Sequence, residues 1–199
     1  MSQNCVLKGT LITLENDETI EIENLKVGQK ILSYSIEDIE NTPDIEKLDK
    51  NIINEFDGYF SYQIIKNIWK TPLEEYYNIN NSLFITGDHY IFSKRGNEYS
   101  WKEVEKIEIG DFLFKADNIF EEITSIKIIN IEPTNFYNLE VNSIYTYFSN
   151  GYLIHNSGSS CTACGSVCSG SGSGGGSGGG SGGGSGGSGG GSGGSGGGV

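Results

Sequence analysis

The chain has 199 residues, and its last 31, Ser169 to Val199, hold 21 Gly and 9 Ser with no apolar side chain before the terminal Val. Such a segment cannot offset the entropy of ordering, so 169–199 reads as a disordered tail behind roughly one domain's length of chain. The net charge of −13 lies wholly before Ser157; an acidic body excludes DNA, RNA and anionic membrane as natural partners, because neutralising phosphates takes clustered Lys and Arg.

The Gly spacing has no strict period of three and the tail no Pro, which excludes a collagen helix. No apolar run reaches the ~18 residues of a membrane span, and Met1 to Cys5 lacks a basic stretch followed by an apolar core, so no signal peptide is expected. Cys5 stands alone, and Cys161, Cys164 and Cys168 are grouped near the tail. An isolated thiol in an otherwise Cys-free body builds no disulfide framework, and a reducing, cytoplasmic setting is expected. Three thiols without a fourth ligand make an incomplete zinc site, so solvated thiols or a disulfide are expected there and no metal.

In chain order, the body reads as β. Thr10–Leu14 and Thr19–Ile22 are short apolar runs rich in β-branched residues, separated by Asn and Asp. Ile22–Leu32 then reads apolar–Glu–polar–apolar–charged–apolar–Gly–polar followed by a strand, and Val104–Phe114 repeats that pattern 82 residues later. The spacing is too long for a solenoid and suggests two related β subdomains. Residues 37–57 carry eight acidic groups against Lys47 and Lys50; this insertion reads as a solvated loop with a helical turn between Asp44 and Ile53. Leu83–Thr86 and Tyr90–Phe92 read as strands around Gly87-Asp88-His89, and Trp101–Lys106 as a short turn. Ser143–Ser149 and Tyr152–His155 flank Asn150-Gly151, the strongest short hairpin signal, because both central positions must tolerate φ > 0.

Two His occur, and neither sits at random. His89 closes Thr86-Gly87-Asp88-His89 after a strand; His155 closes the hairpin and precedes Asn156 and Ser157, where charge ends and low complexity begins. Cys5 marks the opposite boundary. A generic His is usually a satisfied or solvated residue, but a nucleophile, two bases, a carboxamide and a second nucleophile gather at the ends of this body.

Those residues carry a resemblance. Cys5-Val6-Leu7-Lys8-Gly9-Thr10-Leu11-Ile12 resembles the opening block of an intein or related Hint domain, and Thr86-Gly87-Asp88-His89 its T-x-x-H block. Phe136–Val141, Tyr145–Phe148 and Asn150–Ser157 resemble the closing blocks. The resemblance covers Cys5 to Asn156 and implies an all-β, pseudo-twofold Hint horseshoe, without an inserted homing endonuclease. The chain departs from the common pattern at Asn138, where many members have Asp, and at Tyr145, where many have His. Asn is no carboxylate base and Tyr a poorer proton carrier near neutrality, so both are assisting positions only.

The implied chemistry suits the residue types. The Cys5 thiol attacks the Asn4 carbonyl through a five-membered ring, and intramolecular placement contributes up to ~7–11 kcal/mol. His89 protonates the departing nitrogen, and Thr86 with neighbouring N–H groups stabilises the oxyanion. Ser157 takes the acyl group, Asn156 cyclises and cuts Asn156–Ser157 with His155 polarising that bond, and an O-to-N shift joins Asn4 to Ser157. The expected pieces are a flank at 1–4, the self-processing domain at 5–156, a downstream flank at 157–168 and the tail at 169–199. No cofactor is required, and the substrate is the domain's own flanks. The domain is expected to be monomeric and cytoplasmic, or virion-associated if the host protein is a phage component. The alternatives are autoproteolysis without ligation and a non-catalytic structural or display module.

Overall fold

Asn150 and Gly151 both take positive φ, 47° and 82°, and close the hairpin that organises this end of the chain. The computed structural model describes residues 4–39, 42, 44–48 and 50–156; the upstream residues 1–3, Ser157, Cys161, Cys164, Cys168 and the tail lie outside that range. In chain order the strands begin with β1 (Val6–Leu7), β2 (Leu11–Thr13), β3 (Thr19–Glu21) and β4 (Lys30–Ile36). After the short helix α1 (Ile45–Leu48) come β5 (Ile52–Ile53), β6 (Gly58–Ile79), β7 (Leu83–Ile85), β8 (Tyr90–Arg95) and β9 (Glu98–Glu103). The described residues end in β10 (Phe112–Phe114), β11 (Phe120–Glu122), β12 (Ile126–Val141), β13 (Thr146–Ser149) and β14 (Tyr152–His155).

Two sheets result. One has the order β12-β1-β7-β6-β4, with β12 also pairing β6; the other runs β11-β10-β8-β14-β13-β2-β3, with β9 joining β8 and β5 joining β9. The long strands β6 and β12 carry the first sheet, and both contain proline. Pro133 falls where the β12–β6 register shifts, between Asn130 and Thr134, as expected of a residue with no N–H for the ladder. Short runs broken by Pro72 and Pro133 hide these two strands from a reading of local pattern.

The 82-residue repeat is a structural one. Ile22–Asn24 and Val104–Lys106 each form a single 3₁₀ turn. The Ile22 N–H donates to the Thr10 carbonyl and the Val104 N–H to the His89 carbonyl, both at 2.8 Å. Four residues after each turn stands a glycine in the left-handed region, Gly28 at φ 91° and Gly110 at φ 93°, which glycine adopts without a Cβ penalty. Their N–H groups donate to Ile65 and Ile123 carbonyls, both at 2.9 Å. The Gln29 carboxamide and the Asp111 carboxylate then accept from the N–H groups of Lys26 (2.6 Å) and Glu108 (3.0 Å). Under this pseudo-twofold relation Thr10 and His89 are equivalent positions, so the second copy delivers its equivalent of a threonine as an imidazole.

Two local expectations need correction. The last strand pair starts at Thr146, not Ser143, because Ser143 (φ 61°) and Tyr145 (φ 60°) are left-handed and break the extended run. The acidic segment 37–57 is not a freely solvated loop: Ile39 and Leu48 are buried in an aromatic core with Phe92, Trp101 and Phe114. Phe56 packs its ring at 4.9 Å from Phe114 and 5.3 Å from Phe120. Glu37, Asp38, Asp44, Glu55 and Asp57 face solvent while Ile39, Leu48, Ile53 and Phe56 pack on the aromatic core, because burying those side chains removes apolar area from water.

Asp111, 2 % exposed, accepts two bonds from the Arg95 guanidinium, at 2.6 and 2.7 Å. Burial alone would raise this carboxyl; the Arg95 bonds and the Glu108 N–H override it and hold it below its ordinary value. Asp111→Ala is expected to cost about 2–3 kcal/mol, discounted from a fully buried pair because Arg95 remains partly solvated. With a folded pKa below the unfolded one, this contribution is complete above the unfolded value of 3.8 and is lost as pH falls through the folded value. Thermal midpoints of wild type and variant should therefore differ at neutral pH and converge in acid; a constant difference would contradict the assignment.

Candidate active site

Cys5 precedes β1, and its neighbours follow from the register of that short strand. Val6 lies opposite Ile85 of β7 and Tyr137 of β12, so one residue upstream Cys5 falls opposite Thr86 on one side and Asn138 on the other. The Cys5 N–H donates to Thr86 Oγ1 at 2.9 Å, and the Thr86 N–H donates to the Cys5 carbonyl at 2.9 Å. The Asn4 N–H donates to Asp88 Oδ1 at 3.1 Å. The Asn4–Cys5 peptide is thus bonded at its own N–H to Thr86 and flanked by a bonded peptide on each side, with Asn4 held at φ 24°. Such backbone strain costs of order 1–3 kcal/mol and persists only where the surroundings impose it.

Thr86 to His89 form the connection from β7 to β8. Gly87 is required there, since a Cβ would come within 2.7 Å of the Tyr77 ring. A cleft of about 490 Å³, bordered by Leu73, Glu75, Tyr77, Asp88 and Glu105, opens beside this connection. The His89 imidazole is fully buried. Burial pushes its pKa from 6.5 down to about 4, against the opposing pull of the Asp88 carboxylate and the Asn4 backbone.

The second half of the site comes from β14. Ile154 pairs with Ile91 and His155 with Tyr90, so Asn156 falls opposite His89. The Asn156 N–H donates to the Tyr145 carbonyl at 2.7 Å, and its Nδ2 donates to the Leu139 carbonyl at 2.7 Å. Strand β12 therefore serves both ends of the domain: Asn138 stands by Cys5, and Leu139 holds Asn156. Asn138 Oδ1 accepts from the Leu139 N–H at 2.9 Å, which leaves its buried Nδ2 unpartnered. His155 is packed edge-on against Trp101 at 5.1 Å and beside the Tyr145 ring at 6.3 Å. Burial, then the charge of His89, push its pKa to about 3, opposed by the Thr42 backbone.

The structure brings Cys5, Thr86, His89, Asn138, His155 and Asn156 into one buried cluster, with Tyr145 at its edge; Ser157 lies outside the described residues. Around the two imidazoles, polar atoms without well-formed hydrogen bonds are concentrated: both nitrogens of His89 and His155, Asn138 Nδ2, Asn156 Oδ1 and Tyr147 Oη. Buried polar groups are normally paired, and such a concentration marks sites arranged for reaction rather than rest. Because both imidazoles have folded pKa values below the usual 6.5, the unfolded chain binds protons first and stability falls as pH drops below that value. Among the described residues no His, Cys, Asp and Glu gather as metal ligands, and no helix is long and apolar enough to cross a membrane.

Sequence reasoning missed Asp88, Trp101, Thr42 and Tyr147. Asp88 lay inside the quoted T-x-x-H block, so its position was in view but its bond to Asn4 was not. Tyr147 likewise lay inside the quoted Tyr145–Phe148 block with no role assigned to it, while Thr42 and Trp101 lie outside every quoted block.

The architecture and these registers are those of the all-β Hint fold, which inteins and intein-like domains share. Among solved structures the chain is similar to a bacterial intein-like domain from Clostridium thermocellum, with 21% identity and a TM-score of 0.61 over 78% of this chain and 100% of that one. It is similar also to the gp41-1 intein (18% identity, TM-score 0.53, 78% of this chain and 100% of that one). A third is the PabCDC21-1 intein (16% identity, TM-score 0.54, 78% and 99%). No protein-family model and no curated protein matches the sequence. Identities this low carry the fold; the chemistry rests on the site itself.

Proposed function

We propose that this domain excises itself from its flanks by protein splicing, a single turnover on its own chain. The observation that supports this reading above all is the hold on the Asn4–Cys5 peptide: its Cys5 N–H is bonded to Thr86, the preceding Asn4 N–H to Asp88, and Asn4 lies at positive φ, beside a buried imidazole.

The low pKa of His89 sharpens its role. Near neutrality His89 is unprotonated, so it carries no spare proton for the leaving nitrogen and acts first as a base. It takes the Cys5 thiol proton; the sulfur bonds to the Asn4 carbonyl carbon; the same proton passes to the Cys5 nitrogen as the C–N bond breaks. The product is a thioester and a free amine, an isomerisation with no atom gained or lost. Ser157 then receives the acyl group. Asn156 Nδ2, oriented by the Leu139 carbonyl, attacks its own main-chain carbonyl and releases Ser157, with His155 assisting, and an O-to-N shift closes the Asn4–Ser157 peptide bond. The cleft beside Thr86–Asp88 offers room for the upstream acyl segment.

The test is intact mass after expression in a reducing cytosol. Splicing yields residues 5–156 as a separate product and tandem fragments that cross an Asn4–Ser157 junction. Unprocessed precursor that also resists cleavage by excess thiol overturns the proposal. A second reading, autoproteolysis without ligation, draws support from Asn138, a carboxamide opposite Cys5 with no acid to coordinate the two cleavages. Ser157→Ala separates them: if splicing operates in the wild type, the ligated product disappears in the variant while cleavage after Asn156 persists. An unchanged product set favours autoproteolysis.

A further inference from the structure

Between β12 and β13 the chain makes two left-handed steps, Ser143 at φ 61° and Tyr145 at φ 60°. The Ile144 N–H closes a tight turn between them onto the Asn142 carbonyl at 2.7 Å. Gly, Asn and Asp are the usual occupants of that region; a bulky ring there is an outlier, kept in place by its surroundings, and such outliers gather at reacting groups. Tyr145 has such a group directly opposite.

Thr146 pairs with His155, so Tyr145 stands opposite Asn156, whose N–H donates to the Tyr145 carbonyl at 2.7 Å. Opposed residues bonded in this way in an antiparallel ladder exchange two hydrogen bonds. Here one rung is made: among the described residues no bond returns from the Tyr145 N–H to the Asn156 carbonyl. With the Tyr145 carbonyl fixed on Asn156, a positive φ in place of the extended value of about −140° turns the N–H out of the ladder. Asn156 is thus tied at its main-chain N–H by Tyr145 and at Nδ2 by the Leu139 carbonyl, also at 2.7 Å. The carbonyl that Nδ2 attacks stays outside the ladder.

We propose that Tyr145 is a positioning residue for cleavage after Asn156 and acts through its main chain: its left-handed conformation holds the Asn156 N–H while withholding the second rung that would pin the scissile carbonyl. The inference rests on the splicing reading above. In this step Nδ2 bonds to the Asn156 carbonyl carbon, which becomes tetrahedral, so its oxygen must swing out of the peptide plane. The C–N bond to Ser157 then breaks, the Ser157 nitrogen takes the proton that Nδ2 gives up, and the products are a succinimide and a free amine. A ladder bond would fix that oxygen along the strand direction. Without it the oxygen moves, and the N–H anchor keeps the reacting atoms in register. The Tyr145 ring, packed beside His155 at 6.3 Å, moves no proton.

The experiment compares Tyr145→Gly, Tyr145→Ile and Tyr145→Phe in a Ser157→Ala parent. Mass spectrometry follows cleavage after Asn156 and, in the same samples, cleavage before Cys5 by dithiothreitol. Gly enters the left-handed region freely and Ile resists it, and both lose the ring, so this pair isolates the backbone. Cleavage after Asn156 is expected to be about tenfold slower with Ile than with Gly. Tyr145→Phe should match the parent, and cleavage before Cys5 should be the same throughout. Amide hydrogen exchange in the uncleavable Asn156→Ala chain reads the rung directly and does not depend on Tyr145→Ile folding: the amide of residue 156 should be protected and that of Tyr145 not. Equal protection of the two amides overturns the proposal, as does Ile as fast as Gly. Gly as slow as Ile, or a slow Tyr145→Phe, places the task in the side chain and overturns it too, and so does Ile slowing both cleavages alike. Each of these leaves the splicing reading intact. A parent that shows neither cleavage overturns the splicing reading and this step with it.

Discussion

Replacing His89 by Gln is expected to slow thioester formation at Asn4–Cys5 by about 10²–10⁴-fold, the usual contribution of a positioned proton carrier. The fold should survive, because the main-chain bonds of this residue, to the Thr86 carbonyl (3.3 Å) and from Val104 N–H (2.8 Å), do not involve the ring. Gln can accept and donate hydrogen bonds but cannot carry a proton between the Cys5 sulfur and nitrogen. With the wild-type imidazole held at about 4 by burial, the neutral form is present throughout the physiological range. The wild-type rate should drop as pH falls through that value, because the protonated ring is no longer a base, and the variant should lack that acid limb. Release of residues 1–4 by excess thiol, followed by mass against pH, measures both effects. A variant as fast as wild type would remove His89 from the mechanism.

The second large effect is at the other end. Asn156→Ala should abolish cleavage after residue 156 altogether, because no other group supplies the amide nitrogen that forms the succinimide. Thiol-dependent cleavage before Cys5 should continue, leaving residues 5–199 joined. The variant also loses the 2.7 Å bond from Nδ2 to the Leu139 carbonyl, a destabilisation of about 1–3 kcal/mol for a buried acceptor left unpaired. Asn156→Asp provides the companion measurement: it keeps the size but turns a carboxylate oxygen toward the Leu139 carbonyl, so it too should fail to cleave and should be less stable than Asn156→Ala at neutral pH. Cleavage after residue 156 in the alanine variant would mean that water, not the Asn side chain, breaks that bond.

Much of this site is visible in the chain. Cys5, the Thr86–His89 block and His155-Asn156 stand at strand ends or turns, and their chemistry is readable from identity alone. The Asn150-Gly151 hairpin is legible because its turn demands positive φ at both positions. The repeat is legible because 3₁₀ turn, glycine and strand recur in order. Less visible is anything that depends on partners far along the chain. Strands β6 and β12 are interrupted by Pro72 and Pro133, and only their mutual pairing carries them through. The acidic charge of residues 37–57 masks the few apolar side chains that anchor that segment on the aromatic core.

The sequence by itself determined the residue types of a self-processing site, their order, the all-β class and the two-copy plan, because each is carried by local identity, turn chemistry or spacing. Only the tertiary structure decided which of them meet. The registers of β1 with β7 and β12, and of β14 with β8, bring Cys5 to Thr86 and Asn156 opposite His89, and a one-residue slip would turn those side chains to the other face. Only burial decided that both imidazoles are neutral near pH 7, which makes His89 a base before it is an acid.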